Sequence, residues 1–419
     1  MKEELLQIKN RLKKEILDKL EVTDFGYVTD NKDELQKKVD NLLNTTLRLE
    51  REYPHLSRSQ KDDVVSEVVS ELIGLGPIEQ LLKDPQVLEI MINGPHQIYI
   101  EKEGRIVPTP IKFNNQEHLM YFVDKILSPI GRRVTELDPY VDARLADGSR
   151  VNIVRSPIAL RGPIVTIRKF SKYVLTMEDL TNLGTLSKEV AFFLEACVKA
   201  RLNILISGGA GSGKTTTLNV LGSFIPKEER IIVIEDIAEL KIDKEHVINL
   251  ETRPANIEGK GEITIRSLVK NALHMRPDRI IIGEVRADEV LDMLQAMNTG
   301  HDGSMATLHA NSAEEALERL EMLTLMGAAN ITAQVAKKQI IYGVNLIIHL
   351  VRLSDGSRKI MRICEVAKEK TGDFSLRDIF ILEGPSGAGL RHLQFTGIVP
   401  NFYSRLKQSG FAVEPFEKR

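Results

Sequence analysis

The sequence has no tryptophan, and aromatic residues make up only 5% of its 419 positions. Charge of neither sign prevails: 57 Lys and Arg stand against 59 Asp and Glu, a formal net charge of −2. A chain that works on nucleic acid phosphates usually carries a basic excess and aromatic platforms for bases. Both are lacking, which disfavours direct nucleic acid binding as the main activity. The two cysteines, Cys197 and Cys364, are too few for a disulfide scaffold or a four-thiolate zinc site, and a reducing, cytoplasmic compartment is expected. Cys197 sits among Ala, Phe, Leu and Val and reads as a small buried thiol. Long apolar runs are also missing. From Met1 onward the N-terminus is interrupted by charge every few positions, unlike a signal peptide. The stretch Ile340 to Val351 is broken by Tyr342, Asn345 and His349 and is shorter than the ~20 residues of a spanning helix. Any membrane association is therefore expected to be peripheral, from the cytoplasmic side.

What is present is the balance of a globular protein, 42% apolar and 28% charged, long enough for two or three domains of about 150 residues. Leu5, Ile8, Leu12, Ile16 and Leu20 repeat at helical spacing. Leu35, Val39, Leu42 and Leu49 predict a second helix; Val64, Val65, Val68, Leu72 and Ile73 predict a third, closed by Gly74-Leu75-Gly76-Pro77. Residues 1–74 thus read as a helical module. Over 75–171 the pattern changes to short apolar runs punctuated by turns, Val87 to Ile92 and Ile98 to Ile100 among them, with a helix from Glu117 to Leu127 and strands at Val151 to Val154 and Ile164 to Ile167. This predicts an α/β domain. Over 172–353 strand-length runs at 204–206, 231–234, 280–282 and 305–308 alternate with helical ones, which specifies a parallel sheet covered on both faces. Residues 354–419 read as a β-rich tail packed on that domain.

The segment Gly208-Gly209-Ala210-Gly211-Ser212-Gly213-Lys214-Thr215 fits G-x-x-x-x-G-K-[ST], with a strand before it and a helix after it. Glycines let backbone N–H groups turn inward around phosphate oxygens, and the helix N-terminus adds positive potential at the same place. Lys214 is expected to reach the terminal phosphates and Thr215 to ligate Mg²⁺, with Thr216 beside it on the nucleotide. Two later strands end in acids: 231–234 runs into Glu235-Asp236, and 280–282 into Gly283-Glu284. In an open parallel sheet ligands sit at the carboxyl ends of the strands, so these acids belong beside the phosphate loop. Glu284 is expected to polarise the attacking water, with Glu235 and Asp236 supporting the metal. His309 ends a fourth strand on the same side and is placed to sense the γ-phosphate; His301 is expected to organise the preceding loop.

These residues, in this order, resemble the secretion ATPase superfamily of type II and type IV secretion and type IV pili, most nearly its CpaF-like, Tad/Flp pilus assembly branch. The resemblance rests on the phosphate loop, on Ile234-Glu235-Asp236, on the run from Arg276 to Arg286, on Gly300 to Asn311, on Gly74 to Glu79 and on Asp142 to Asn152. It implies an α/β fold with a RecA-like P-loop NTPase core, preceded by an α/β domain and the N-terminal helical module. It further implies a homo-hexamer that hydrolyses Mg-ATP, with ATP between the two domains and arginines of the first domain reaching the γ-phosphate; Arg144, Arg150 and Arg168 are the candidates by position. The implied partner is an inner-membrane platform protein of a pilus or secretion machine, which places the enzyme at the inner face of the cell membrane. Ala287 departs from the Gly common in such ATPases, and the four-cysteine zinc module of many type II relatives is absent. A RecA-like nucleic-acid motor and a nucleotide-gated scaffold with little turnover are the alternatives.

Overall fold

The computed structural model describes residues 75–419 apart from 103, 146, 170–174, 254, 256–259, 329, 370–372, 384–391, 414–415 and 417–419. The three helices expected over 1–74 lie outside the described residues. The chain divides into two compact units, with the boundary between residues 172 and 173.

In the first unit a short helix α1 (Glu79–Lys83) leads into strands β1 (Val87–Asn93), β2 (Ile98–Lys102) and β3 (Arg105–Pro108). Helix α2 (Gln116–Leu127) follows, then β4 (Tyr140–Arg144), β5 (Arg150–Val154) and β6 (Ile164–Arg168). Helix α2 starts where it does because the Asn115 side chain accepts the His118 N–H at 2.8 Å, closing one of the otherwise unpaired donors of the first turn. The strands form one antiparallel sheet in the order β3-β2-β1-β6-β5-β4. Its strands alternate: Val151, Ile153, Val165 and Ile167 are buried and cluster with Phe122, Val123 and Ile126 of α2. Arg150, Asn152, Thr166 and Arg168 take the other face.

The second unit opens with α3 (Met177–Asn182) and α4 (Lys188–Lys199), then alternates β7 (Ile204–Gly208), α5 (Lys214–Gly222), β8 (Ile231–Glu235), β9 (Val247–Glu251), α6 (Ile265–Ala272) and β10 (Arg279–Val285). It continues through α7 (Glu289–Asn298), β11 (Met305–His309), α8 (Ala313–Met326), α9 (Ala333–Gly343) and β12 (Leu346–Arg352). Strands β13 (Arg358–Lys368), β14 (Phe374–Glu383) and β15 (His392–Phe395) and helix α10 (Tyr403–Gln408) complete it.

All nine strands make one sheet, β15-β14-β13-β12-β7-β11-β10-β8-β9. From β12 to β9 the pairs are parallel; β13 to β15 add on antiparallel. The strands after residue 353 therefore continue the sheet of the second unit and do not form a separate layer. Central strands read as unbroken apolar runs because both faces are covered. On β7, Ile204 and Ile206 join α4, α5 and Phe402 on one side, while Leu205 joins α6 to α9 on the other. Each such fully buried Ile or Leu contributes about 1.5–3 kcal/mol, so this double-sided core fixes where the strand ends, and everything mounted on them, come to lie.

Candidate nucleotide site

Strand β7 ends in Gly208, and the chain turns at once into α5. Gly208, Gly211 and Gly213 have φ of 155°, 66° and 98°, conformations that side chains resist. Space is equally restrictive: a Cβ on Gly208 would lie 2.4 Å from the Leu350 carbonyl oxygen of β12. Ser212 is buried, and its hydroxyl donates to the Gly209 carbonyl at 2.9 Å, tightening the loop. Gly213 is the left-handed N-cap of α5, whose first turn contains no acid, so the positive helix end is not neutralised locally. Lys214 is buried and curls back, its Nζ donating to the Gly208 and Gly209 carbonyls at 3.0 and 2.9 Å. Thr215 and Thr216 are half-buried in the first turn of α5. Gly209, Ala210 and Gly211 form the accessible rim.

Three strand ends meet beside this loop. His309, last in β11, is in register with Gly208 of β7. On the far side of β11, strand β10 carries a bulge between Ile282 and Val285, which shifts its register by one residue. Such a bulge re-aims a side chain, and here the residue concerned is Glu284. Its Oε1 is 2.7 Å from His309 Nδ1, and its Oε2 accepts from Arg286 at 2.6 Å. The Thr307 hydroxyl donates to the Gly283 carbonyl at 2.5 Å, pinning the bulge to β11. Burial pushes the Glu284 carboxyl up, but the bonds from Arg286 and His309 outweigh it and hold it below the ordinary value. Glu284 is thus a deprotonated carboxylate in a half-buried position, able to orient a water by accepting its hydrogen bond.

The acids after β8 separate in role. Glu235 is buried, and its carboxylate accepts the backbone N–H groups of Glu239 and Leu240, each at 3.0 Å. Burial drives its pKa up to about 7 despite those two bonds. In this structure it organises the loop after β8. Gly283 is glycine for the same reason: a Cβ there would sit 2.8 Å from Glu235 Cγ. Asp236 faces Arg286, whose Nη1 donates to its Oδ2 at 3.1 Å. Arg286 therefore joins Asp236 to Glu284, a link that sequence reasoning missed; the alternating acids and the arginine two residues after Glu284 were its only signal.

A helix N-terminus, inward-turning glycines and a buried lysine suit a nucleotide polyphosphate. One threonine hydroxyl and one carboxylate, with phosphate oxygens and water completing the shell, suit Mg²⁺, a hard cation with oxygen ligands. Among the described residues no group of three or more His, Cys, Asp or Glu could hold a metal by itself. His301 precedes β11, at the opposite end of that strand from His309; its carbonyl accepts from the Ser304 hydroxyl at 2.7 Å. Cys197 is fully buried, and burial pushes its thiol far up.

The three arginines singled out from the sequence belong to the first unit, and cross-strand pairing aligns them: Arg144 opposes Arg150, and Arg150 opposes Arg168. A tight turn makes this possible, in which Asp147 accepts the Ser149 N–H at 2.9 Å and Gly148 takes φ 90°. Arg144 Nε donates to the Gly148 carbonyl at 3.2 Å.

Among the described residues no helix is long and apolar enough to cross a membrane. The family profile described as "Type II/IV secretion system protein" matches residues 71–380. A Mycobacterium tuberculosis protein whose name places it in conjugal transfer is 33% identical over 300 residues, covering 70% of this chain and 85% of its own. The type IV secretion system protein VirB11 of Bartonella henselae is 31% identical over 341 residues, covering 72% of this chain and 94% of its own. Among solved structures, the pilus retraction motor PilT with bound ADP superposes with a TM-score of 0.51 at 19% identity, over 80% of this chain and 85% of that one, a likeness of fold. With a RecA-like core, a complete phosphate loop and a profile spanning most of its length, the chain belongs to the type II/IV secretion system protein family.

Proposed function

We propose that this chain is a Mg²⁺-dependent ATP hydrolase of the Tad/Flp pilus assembly type. It works as a ring of six copies at the inner face of the cell membrane and drives pilin assembly or protein export through an inner-membrane platform protein. The observation that carries the reading is the alignment of the phosphate loop, His309 and Glu284 at the carboxyl ends of neighbouring strands β7, β11 and β10. Loop amides and Lys214 hold the triphosphate. Mg²⁺, when bound, would neutralise charge building up on the phosphates; Thr215 and Asp236 are the residues that would hold it, with Glu235 shaping the loop that presents Asp236. Glu284 takes the proton of the attacking water, and His309 keeps that carboxylate aimed.

The arginine row supports the ring. Arg144, Arg150 and Arg168 stand side by side across β4, β5 and β6, a cationic row suited to the oxygens of a polyphosphate. Hydrolysis that needs those arginines from another part of the assembly couples turnover to domain motion.

The test is to purify the full chain and measure Mg²⁺-ATPase activity and assembly mass with and without nucleotide, alongside Lys214→Ala. Activity is expected to follow assembly and to vanish in the variant. A fully active monomer overturns the ring, and equal activity in Lys214→Ala overturns the site. Cross-linking in cells is expected to capture a multi-spanning membrane protein.

A further inference from the structure

His349 lies in the middle of β12, outside every motif used so far. It is buried, yet polar, and it sits in a cross-strand row with Ser207 of β7 and Leu308 of β11. Its Nδ1 is 2.9 Å from the Ser207 hydroxyl, one residue before the phosphate loop. The ring also bonds the backbone of Asn311, and that bond raises its pKa, so the ring donates it to the carbonyl. Burial and the Arg362 charge nonetheless push the imidazole down, against the Asn311 bond and the carboxylates Glu314 and Glu315. A neutral ring offers one donor and one acceptor. Nδ1 faces Ser207, and the tautomer in which it accepts the hydroxyl proton leaves the other ring nitrogen to donate to Asn311. Asn311 is two residues beyond His309, and its own N–H donates to Glu315 at 3.0 Å, at the start of α8. The imidazole therefore ties the strand that carries the phosphate loop to the segment that carries the partner of Glu284.

We propose that His349 is a positioning residue for hydrolysis: by bridging Ser207 and Asn311 it sets where His309, and through it Glu284, stand relative to the phosphate loop. The proposal rests on the ATP hydrolysis reading above. A buried polar side chain with both nitrogens engaged is costly to place in a core unless its bonds are made, and here they join the two halves of one site, not remote parts of the fold.

The test uses the full chain and three variants. His349→Leu removes both bonds, His349→Gln keeps an amide able to reach Asn311, and Ser207→Ala removes one bond while leaving β12 intact. The first readout is hydrogen exchange of the backbone over 308–312, which does not depend on turnover. It is expected to quicken about tenfold in His349→Leu and to return towards wild type in His349→Gln. The second is ATP hydrolysis: kcat is expected to fall about tenfold in His349→Leu and less in Ser207→Ala, with ADP affinity held within about twofold. Unchanged exchange over 308–312 overturns the proposal, as does a kcat within about twofold of an active wild type. Loss of ADP affinity and melting temperature together, without recovery in His349→Gln, overturns it in favour of a purely structural role. An inactive wild type refutes the hydrolysis reading instead, and the exchange measurement still decides on His349.

Discussion

His309 Nδ1 and Glu284 Oε1 stand 2.7 Å apart, joining the end of β11 to the bulge of β10. The pair makes two adjacent strand ends behave as one element, beside a third that ends in the phosphate loop. A change in His309 is thereby a change in where the carboxylate points.

Replacing Glu284 by Gln keeps the shape and the hydrogen-bonding reach but removes the proton acceptor. Turnover is expected to fall about a hundredfold or more, the usual share of a general base, with ADP affinity within about twofold of wild type. A steady-state assay paired with equilibrium binding reads both. Retained turnover removes Glu284 from the chemistry.

The alternation of apolar runs made the parallel core and most element boundaries legible, because each strand is covered on both faces. Strand β9 was missed: at the sheet edge, Val247 to Glu251 is only partly covered and carries no strong pattern. Helix α9 was missed because it ends at Gly343 and β12 begins at Leu346, with only Val344 and Asn345 between, so that Ile340 and Ile341 merge with the apolar run of the strand. The placement of Glu284, His309 and the loop at the ends of neighbouring strands was readable; their linkage was not. A bulge at Gly283 and a buried carboxylate behind it are set by cross-strand packing, which one-dimensional spacing does not record.

Gly208 tests the loop's packing. An alanine Cβ there meets the Leu350 carbonyl oxygen at 2.4 Å and the Ser212 hydroxyl at 2.5 Å. Gly208→Ala is expected to lower stability by about 1–3 kcal/mol, as overpacking does, and to weaken ADP binding at least about tenfold. Chemical denaturation and fluorescence titration measure the two; an undisturbed titration means that the loop does not bind nucleotide in this shape.

Glu235 predicts a pH dependence of stability. Its folded carboxyl is raised from 4.5 to about 7, so between those values the folded chain binds more protons than the unfolded one. Stability from this group is full below the lower value and is lost as pH rises through the upper. Glu235→Gln does not titrate. Melted with a chelator present, the variant is expected to gain on wild type as pH rises, by up to about 3 kcal/mol, and to level off above about pH 7. A difference that is flat with pH contradicts the burial of this carboxyl.

Arg286 is the remaining lever on Glu284. Burial raises that carboxyl, and the Arg286 bond at 2.6 Å is the largest of the effects that lower it. Without the guanidinium, burial is opposed by His309 alone, and the carboxyl must rise. Activity that needs the ionised form is then lost at a higher pH. Arg286→Ala is therefore expected to move the acid limb of kcat/KM upward, while at alkaline pH, where Glu284 is ionised in both proteins, the two rates approach each other. The profile is measured at saturating Mg²⁺, since Arg286 also holds Asp236 at 3.1 Å. An acid limb that stays where the wild type has it assigns that limb to another group, and removes Glu284 as the base whose ionisation the arginine sets.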